Sequence, residues 1–193
     1  DLQGKIVTGD AMFAQRAVSL LITQAGGDYV WTVKDNQARL KQDIEQLFAG
    51  DQECVPGFSP APTDFQTAQV LNSGHGRIEK RTLTTSSLLQ DACDWPGAQQ
   101  VFKLERVTQL LASGTTRVEV VYGITSLSAA KADPHRLLAL VREHWGMENG
   151  LHYRRDVTFH EDAGRTRNWV VAHALAILNN LTLALLLRGG QTN

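Results

Sequence analysis

The sequence holds only two cysteines, Cys54 and Cys93, far apart and without a C-x-x-C partner, so neither a zinc ribbon nor a disulfide scaffold is encoded. It also lacks any run approaching the roughly 18 consecutive apolar residues that a membrane-spanning helix requires. The longest apolar stretch, near Leu181 to Leu187, is a polar-flanked helix end, and no membrane partner is expected. Charge of one sign is missing too. With 19 Lys and Arg against 20 Asp and Glu the formal net charge is −1, so any site for a polyanion has to be local. Five prolines and sixteen glycines exclude a collagenous or low-complexity chain, and 42% hydrophobic residues exclude global disorder. No charged-then-apolar leader is visible, which points to a cytoplasmic protein. The first residue is Asp1 rather than Met, and the chain enters at once into Leu2-Gln3-Gly4-Lys5, which reads as the interior of a longer protein.

At 193 residues one sizeable domain with an insertion is the expected organisation. Ile6-Val7-Thr8 is a short β-branched strand ending in Gly9-Asp10, which sets Asp10 at the strand's C-terminal end. A helix follows from Gln15 to Gln24, with Ala17, Val18, Leu20, Leu21 and Ile22 as its stripe, and stops at Ala25-Gly26-Gly27. Asp28 to Lys34 is a second strand. Strand, helix, strand within so short a span predicts a βαβ unit with a parallel, buried pair. A further helix runs from Gln37 to Phe48 on Leu40, Ile44 and Leu47.

Beyond residue 49 the pattern changes. Pro56, Pro60 and Pro62 mark a loop over Asp51 to Gln66, and strand-like alternation follows at Arg77 to Thr85, Gln100 to Leu110 and Thr115 to Thr125. The turn signal Ala112-Ser113-Gly114 predicts that the last two strands form a hairpin. Helix returns at Asp133-Pro134, an N-cap aspartate with proline in the first turn, and extends to about Tyr153. A final helix spans Asn168 to Leu187. The fold class is therefore α/β, with segments 1–49 and 128–193 flanking a β-rich insertion at 50–127.

The densest polar cluster lies on the helix after residue 134. His144, Glu148 and His152 fall at i, i+4 and i+8, drifting only about 40° per step, so all three project from one face. Trp145, Asn149 and Tyr153 lie on or beside the same stripe, a mixture that is costly to bury unless its polar groups are paired or serve a site. Two readings of the stripe stay open, a solvated helix surface and a zinc set, although the H-E-x-x-H spacing is absent. Asp10 has its own alternatives. A strand-end carboxylate beside a helix-borne one suits a divalent-metal phosphoryl-transfer site, where two ions ~3.5–4 Å apart need several acidic oxygens. A turn or helix-capping role for the helix that follows suits it equally.

Taken in order, Ile6-Val7-Thr8-Gly9-Asp10-Ala11-Met12, then Gly27 to Lys34 with Asn36-Gln37, then His144 to His152 with Asp156 to Asp162 and Arg165, resemble the DDE insertion-sequence transposases of the H-repeat-associated group. The resemblance implies a ribonuclease-H-like core in which two aspartates and a glutamate bind Mg²⁺ or Mn²⁺ as a two-metal site for DNA cleavage and strand transfer. Asp10 matches the second acidic position and Glu148 the third. Asp1 stands too close to Asp10 to be the first, so this is expected to be the C-terminal portion of such an enzyme, with a partial core (βαβα, then C-terminal helices) and little nuclease activity alone. Of the Tyr, Arg, Glu, Lys signature around the glutamate, the Tyr position is Val141, the Arg position His144 and the Lys position Arg155.

His144, His152, Arg154, Arg155 and Arg165 are the candidates for DNA backbone contact; the alternative for His152, Arg154 and Arg165 is ordinary surface charge, and for His144 a hydrogen bond to the glutamate. From Pro134 onward seven arginines face five acids, a modest local excess of positive charge. The implied partners are element-end and target DNA and further copies of the parent enzyme, in a bacterial cytoplasm near the nucleoid. Two other classes remain. A non-catalytic DNA-binding or assembly module would expose the Ile6 to Thr8 strand as an open edge. A zinc hydrolase would use His144, Glu148 and His152.

Overall fold

The computed structural model describes residues 1–49, 64–74, 76–147, 157, 160 and 169–188. The chain divides into two compact units, Asp1–Val141 and Arg142–Asn193.

The first unit is built on a six-stranded mixed sheet in the order β1-β2-β6-β5-β4-β3. Its strands are β1 (Ile6–Gly9), β2 (Asp28–Val33), β3 (Gln66–Gly74), β4 (Arg77–Ser86), β5 (Gln100–Leu110) and β6 (Thr116–Thr125). β1 and β2 pair in parallel, with Ile6 opposite Asp28 and Gly9 opposite Trp31. The connection between them is α1 (Arg16–Gln24), so the expected βαβ unit is present. α1 ends where Gly26 takes a φ of +75° and the Gly27 N–H donates to Ile22 O, a left-handed stop that an L side chain rarely adopts.

β6 joins the outer side of β2 antiparallel, Val33 opposite Tyr122, and β5, β4 and β3 follow as an antiparallel meander. The β-rich segment thus continues the sheet begun by β1 and β2. β3 was not anticipated from the sequence, which reads as loop up to Gln66. Its Gln-Thr-Ala-Gln-Val-Leu-Asn-Ser-Gly is mostly polar because β3 is the terminal strand of the sheet and buries only Ala68. The hairpin of β5 and β6 is as predicted.

One face of the sheet carries a cluster of Tyr29, Trp31, Val33, Val101 and Ile124 with Ile22 of α1, Leu40, Ile44 and Phe48 of α2 (Ala38–Ala49), and Trp95 and Ala98 of the β4–β5 loop. Tyr29 and Trp31 stack at 5.5 Å, and the Tyr29 hydroxyl donates to Pro96 O at 2.8 Å. Burying side chains of this size contributes about 1.5–3 kcal/mol each.

At the centre of this cluster sits Ser19, fully buried on α1. Its Oγ accepts from both Trp31 Nε1 and Trp95 Nε1, at 3.0 and 3.2 Å, and donates to Gln15 O at 2.9 Å. The stripe expected on α1 is accordingly rotated. Leu20 and Leu21 are exposed, while Ser19 and Ile22 face inward.

α3 (Pro134–Met147) begins as the sequence predicts, with Asp133 Oδ1 accepting from Arg136 N–H at 2.8 Å. Leu137, Leu138, Leu140 and Val141 are buried, and Gln100 Nε2 donates to Leu127 O and Ala132 O, tying the approach to α3 to β5. Residues 148–156, expected to continue this helix, lie outside the described ones. In the second unit α4 (Trp169–Arg188) agrees with the expected final helix. Among the described residues, no helix is long and apolar enough to cross a membrane.

Candidate metal centre

Because β1 and β2 are parallel, their C-terminal ends open at the same edge of the sheet, the edge at which ligands of open α/β sheets bind. Two loops meet there. The first, residues 10–15, leaves β1 at Gly9; the second, residues 34–37, leaves β2 at Val33 and contains one 3-10 turn, Asp35–Gln37.

Gly9 is required by what lies beside it. A Cβ there would fall 2.6 Å from a ring carbon of Trp31 and 3.0 Å from the Cβ of Phe13. The indole that fills the core under β2 therefore sets the residue next to the candidate ligand. Asp10 follows, half-buried, with Oδ1 accepting from Met12 N–H at 3.0 Å. Its own carbonyl accepts from Phe13 N–H at 3.1 Å.

Asp10 is thus a turn residue, one of the two alternatives the sequence leaves open. It is not the cap of α1, whose N-cap is Gln15, with no side-chain cap hydrogen bond. The turn role and a ligand role are compatible. The bond to Met12 uses Oδ1, and Oδ2 carries no hydrogen bond from any described residue.

The 34–37 loop closes on the 10–15 loop through two side-chain amides. Asn36 Nδ2 donates to Ala11 O at 2.5 Å and Gln37 Nε2 donates to Ala14 O at 3.0 Å. Ala11 and Ala14 are themselves buried, so both ends of the turn after Asp10 are anchored. Asn36 and Gln37 stand in the sequence only as part of a recurring string; no local periodicity says that their amides reach back across the sheet edge.

Gln37 also lines a cleft of about 230 Å³ with Arg16, Arg39, Asp43, Cys93 and Trp95. Its charges are balanced, and Arg16 is paired with Asp94 at 2.9 Å. Burial pushes the Cys93 thiol pKa up, which keeps it protonated and a poor nucleophile.

Of the other candidate residues, His144 lies in the last turn of α3, half-buried beside half-buried Trp145, and belongs to the second unit. Glu148, His152, Arg154, Arg155 and Arg165 lie outside the described residues. Among the described residues no three His, Cys, Asp or Glu side chains converge as a metal cage. The donor chemistry of Asp10 nonetheless fits a hard divalent cation, which takes carboxylate oxygens, and Asp10 would supply one of several ligands.

Residues 1–187 match the family model described as "Transposase DDE domain". Two proteins of Escherichia coli strain K12 named "H repeat-associated putative transposase" are similar in sequence. YhhI is 26% identical over 190 residues, covering 96% of this chain and 48% of its own length. YbfD is 44% identical over 96 residues, 50% of this chain and 32% of its own. The chain spans about half the length of the curated relatives that match it from end to end.

Proposed function

The chain belongs to the transposase DDE domain family, and on that premise we propose that it is the portion of a DNA transposase that contributes the second and third metal-binding carboxylates, Asp10 and Glu148. The observation that carries this reading is Asp10 itself: a carboxylate at the C-terminal edge of a parallel strand pair, on an anchored turn, with Oδ2 bonded by no donor among the described residues. The parallel β1 and β2 with α1 and α2 correspond to the second half of a ribonuclease-H-like core, and the meander β3 to β6 to the insertion that separates Asp10 from Glu148 in sequence.

Bound Mg²⁺ or Mn²⁺ supplies Lewis acidity at the scissile phosphate, making a nucleophile available at neutral pH and stabilising the leaving oxygen. The residues of the chain hold and orient. Asp10 and Glu148 offer hard oxygen ligands, and His144, His152, Arg154, Arg155 and Arg165 contact backbone phosphates of the element end and the target. In the parent enzyme hydrolysis of one phosphodiester releases a 3′-hydroxyl, which then attacks a phosphodiester of target DNA. No residue of this chain is assigned to the first acidic position, so little or no nuclease activity is expected of the chain alone. The parent works as a homo-oligomer in the bacterial cytoplasm, at the nucleoid.

A binding or assembly role gains support from one observation. β1 lies at the edge of the sheet, paired on one side with β2, and among the described residues no strand covers its other side. Sedimentation velocity at rising concentration distinguishes self-association through this edge from a monomer.

The DNA reading is tested by titrating duplex DNA at several salt concentrations. Each phosphate contact contributes about −0.9 to the slope of log K against log salt, so Arg154→Ala, Arg155→Ala and Arg165→Ala should each flatten the slope by about one unit. A slope unchanged in all three removes these arginines from the interface.

A further inference from the structure

Resting on the reading of Asp10 as a metal ligand, we infer that Asn36 and Gln37 are positioning residues for it, a two-pronged latch that holds the Asp10 turn in the geometry a divalent cation requires. Neither amide hydrogen-bonds the carboxylate. They act through the backbone: Asn36 Nδ2 on Ala11 O, and Gln37 Nε2 on Ala14 O.

The physical case starts from the turn's own weakness. Residues 10–15 close by short-range bonds, Phe13 N–H to Asp10 O, Ala14 N–H to Ala11 O and Gln15 N–H to Phe13 O. Such local bonds each add about 0.5–1.5 kcal/mol net, too little to hold a single arrangement against the backbone entropy of five or six residues. The loop also carries Met12 and Phe13 exposed, so their side chains contribute little packing. Besides the burial of the small Ala11 and Ala14 side chains, the pair of amide donors holds it from outside, presented from a rigid place. The strand before them is the most buried of the sheet, with Tyr29, Trp31 and Val33 in the core, and α2 after them packs Leu40 and Ile44 into the same cluster.

The register explains why both amides are needed. Ala11 is the residue after the carboxylate, and Ala14 is the last buried residue before α1 starts. With Ala11 O held, the Ala11–Met12 peptide, whose N–H bonds Asp10 Oδ1, is kept from rotating; with Ala14 O held, the far end of the turn is fixed at the start of α1. Met12 N–H then stays on Asp10 Oδ1, and Oδ2 takes no hydrogen bond from any described residue. Both prongs use an N–H donor toward a carbonyl, so Asn36→Asp and Gln37→Glu remove the donor while keeping the shape. Partners of this second kind around a metal ligand typically cost about 10–100-fold in metal affinity when removed.

The test uses the full chain labelled with ¹⁵N and titrated with Mn²⁺, whose paramagnetic broadening of nearby amides registers weak binding. Alongside it, amide exchange at Met12 reports the turn without metal. In the parent chain the amides of Ala11 and Met12 are expected to broaden, and Asp10→Asn to abolish the effect. Asn36→Asp with Gln37→Glu removes two part-buried hydrogen bonds at about 0.5–1.5 kcal/mol each, so the thermal midpoint should fall by about 2–12 °C while the folded far-UV spectrum is kept. The same pair should raise Met12 exchange at least tenfold and weaken Mn²⁺ about 10–100-fold. Parent-like exchange and Mn²⁺ affinity in the latch variant, with Asp10→Asn silent, overturn the latch and leave the ligand reading standing. Broadening that is absent from the parent, or survives Asp10→Asn, overturns the ligand reading and the latch's role with it.

Discussion

Replacing Ser19 with alanine removes the hydroxyl on which two buried indoles converge. Trp31 Nε1 and Trp95 Nε1 both donate to Ser19 Oγ, and all three residues are buried. Alanine leaves two donors with nothing to bond, and each buried unsatisfied donor costs about 1–3 kcal/mol. Alanine's higher helix propensity returns about 0.5 kcal/mol at this position in α1. A net loss of about 2–4 kcal/mol is expected, a large part of the ~5–15 kcal/mol that stabilises a typical domain. At about 2–4 °C per kcal/mol for a chain of this size, the thermal midpoint falls by ~4–16 °C. Urea unfolding followed by far-UV circular dichroism measures the loss free of the altered tryptophan fluorescence. A double-mutant cycle with Trp95→Phe isolates the mechanism: with one donor already gone, Ser19→Ala should cost roughly half as much. A Ser19→Ala loss under about 0.5 kcal/mol, or the same loss in both backgrounds, refutes the argument that these indoles depend on the hydroxyl.

Gly9→Ala drives a methyl into the Trp31 ring and is expected to destabilise by about 1–3 kcal/mol, read by urea unfolding, and to shift the Met12 amide resonance. Asp133→Ala removes the cap of α3 and should cost about 0.5–2 kcal/mol in the same assay, whereas Asp133→Asn should cost little. Asp64 is pulled upward by burial, but hydrogen bonds from the Ser86 and Ser87 hydroxyls and the Ser87 N–H outweigh this and hold its pKa below the usual carboxylate value. A depressed folded-state pKa contributes stability above the unfolded value that is lost as pH falls through the folded one. Urea midpoints between pH 7 and pH 3 should therefore fall more steeply for the parent chain than for Asp64→Asn.

Much of the fold was legible because its signals are local. The β-branched run of β1, the apolar β2, the glycine stop of α1 and the Asp133-Pro134 start of α3 each declare themselves within a few residues. What escaped notice depends on partners distant in sequence. β3 is polar because it is an edge, and Ser19, outside the apolar stripe expected on α1, is drawn into the core by a bond from Trp95, 76 positions away. The site divides in the same manner. Asp10 could be picked out as a carboxylate ending a strand, but whether it served a turn or capped a helix needed the bond to Met12. Asn36 and Gln37 were visible only as letters in a recurring string. Their hydrogen bonds span 25 and 23 residues of sequence, a relation that no helical or strand period contains. Glu148 and the basic residues after it remain sequence-based assignments.

The account stands most directly on metal binding, measured by calorimetry with Mn²⁺ on the parent chain, Asp10→Ala and Glu148→Ala. The account predicts a signal in the parent that disappears in both variants, which places the two carboxylates at one site. Binding that persists unchanged in both variants would contradict it.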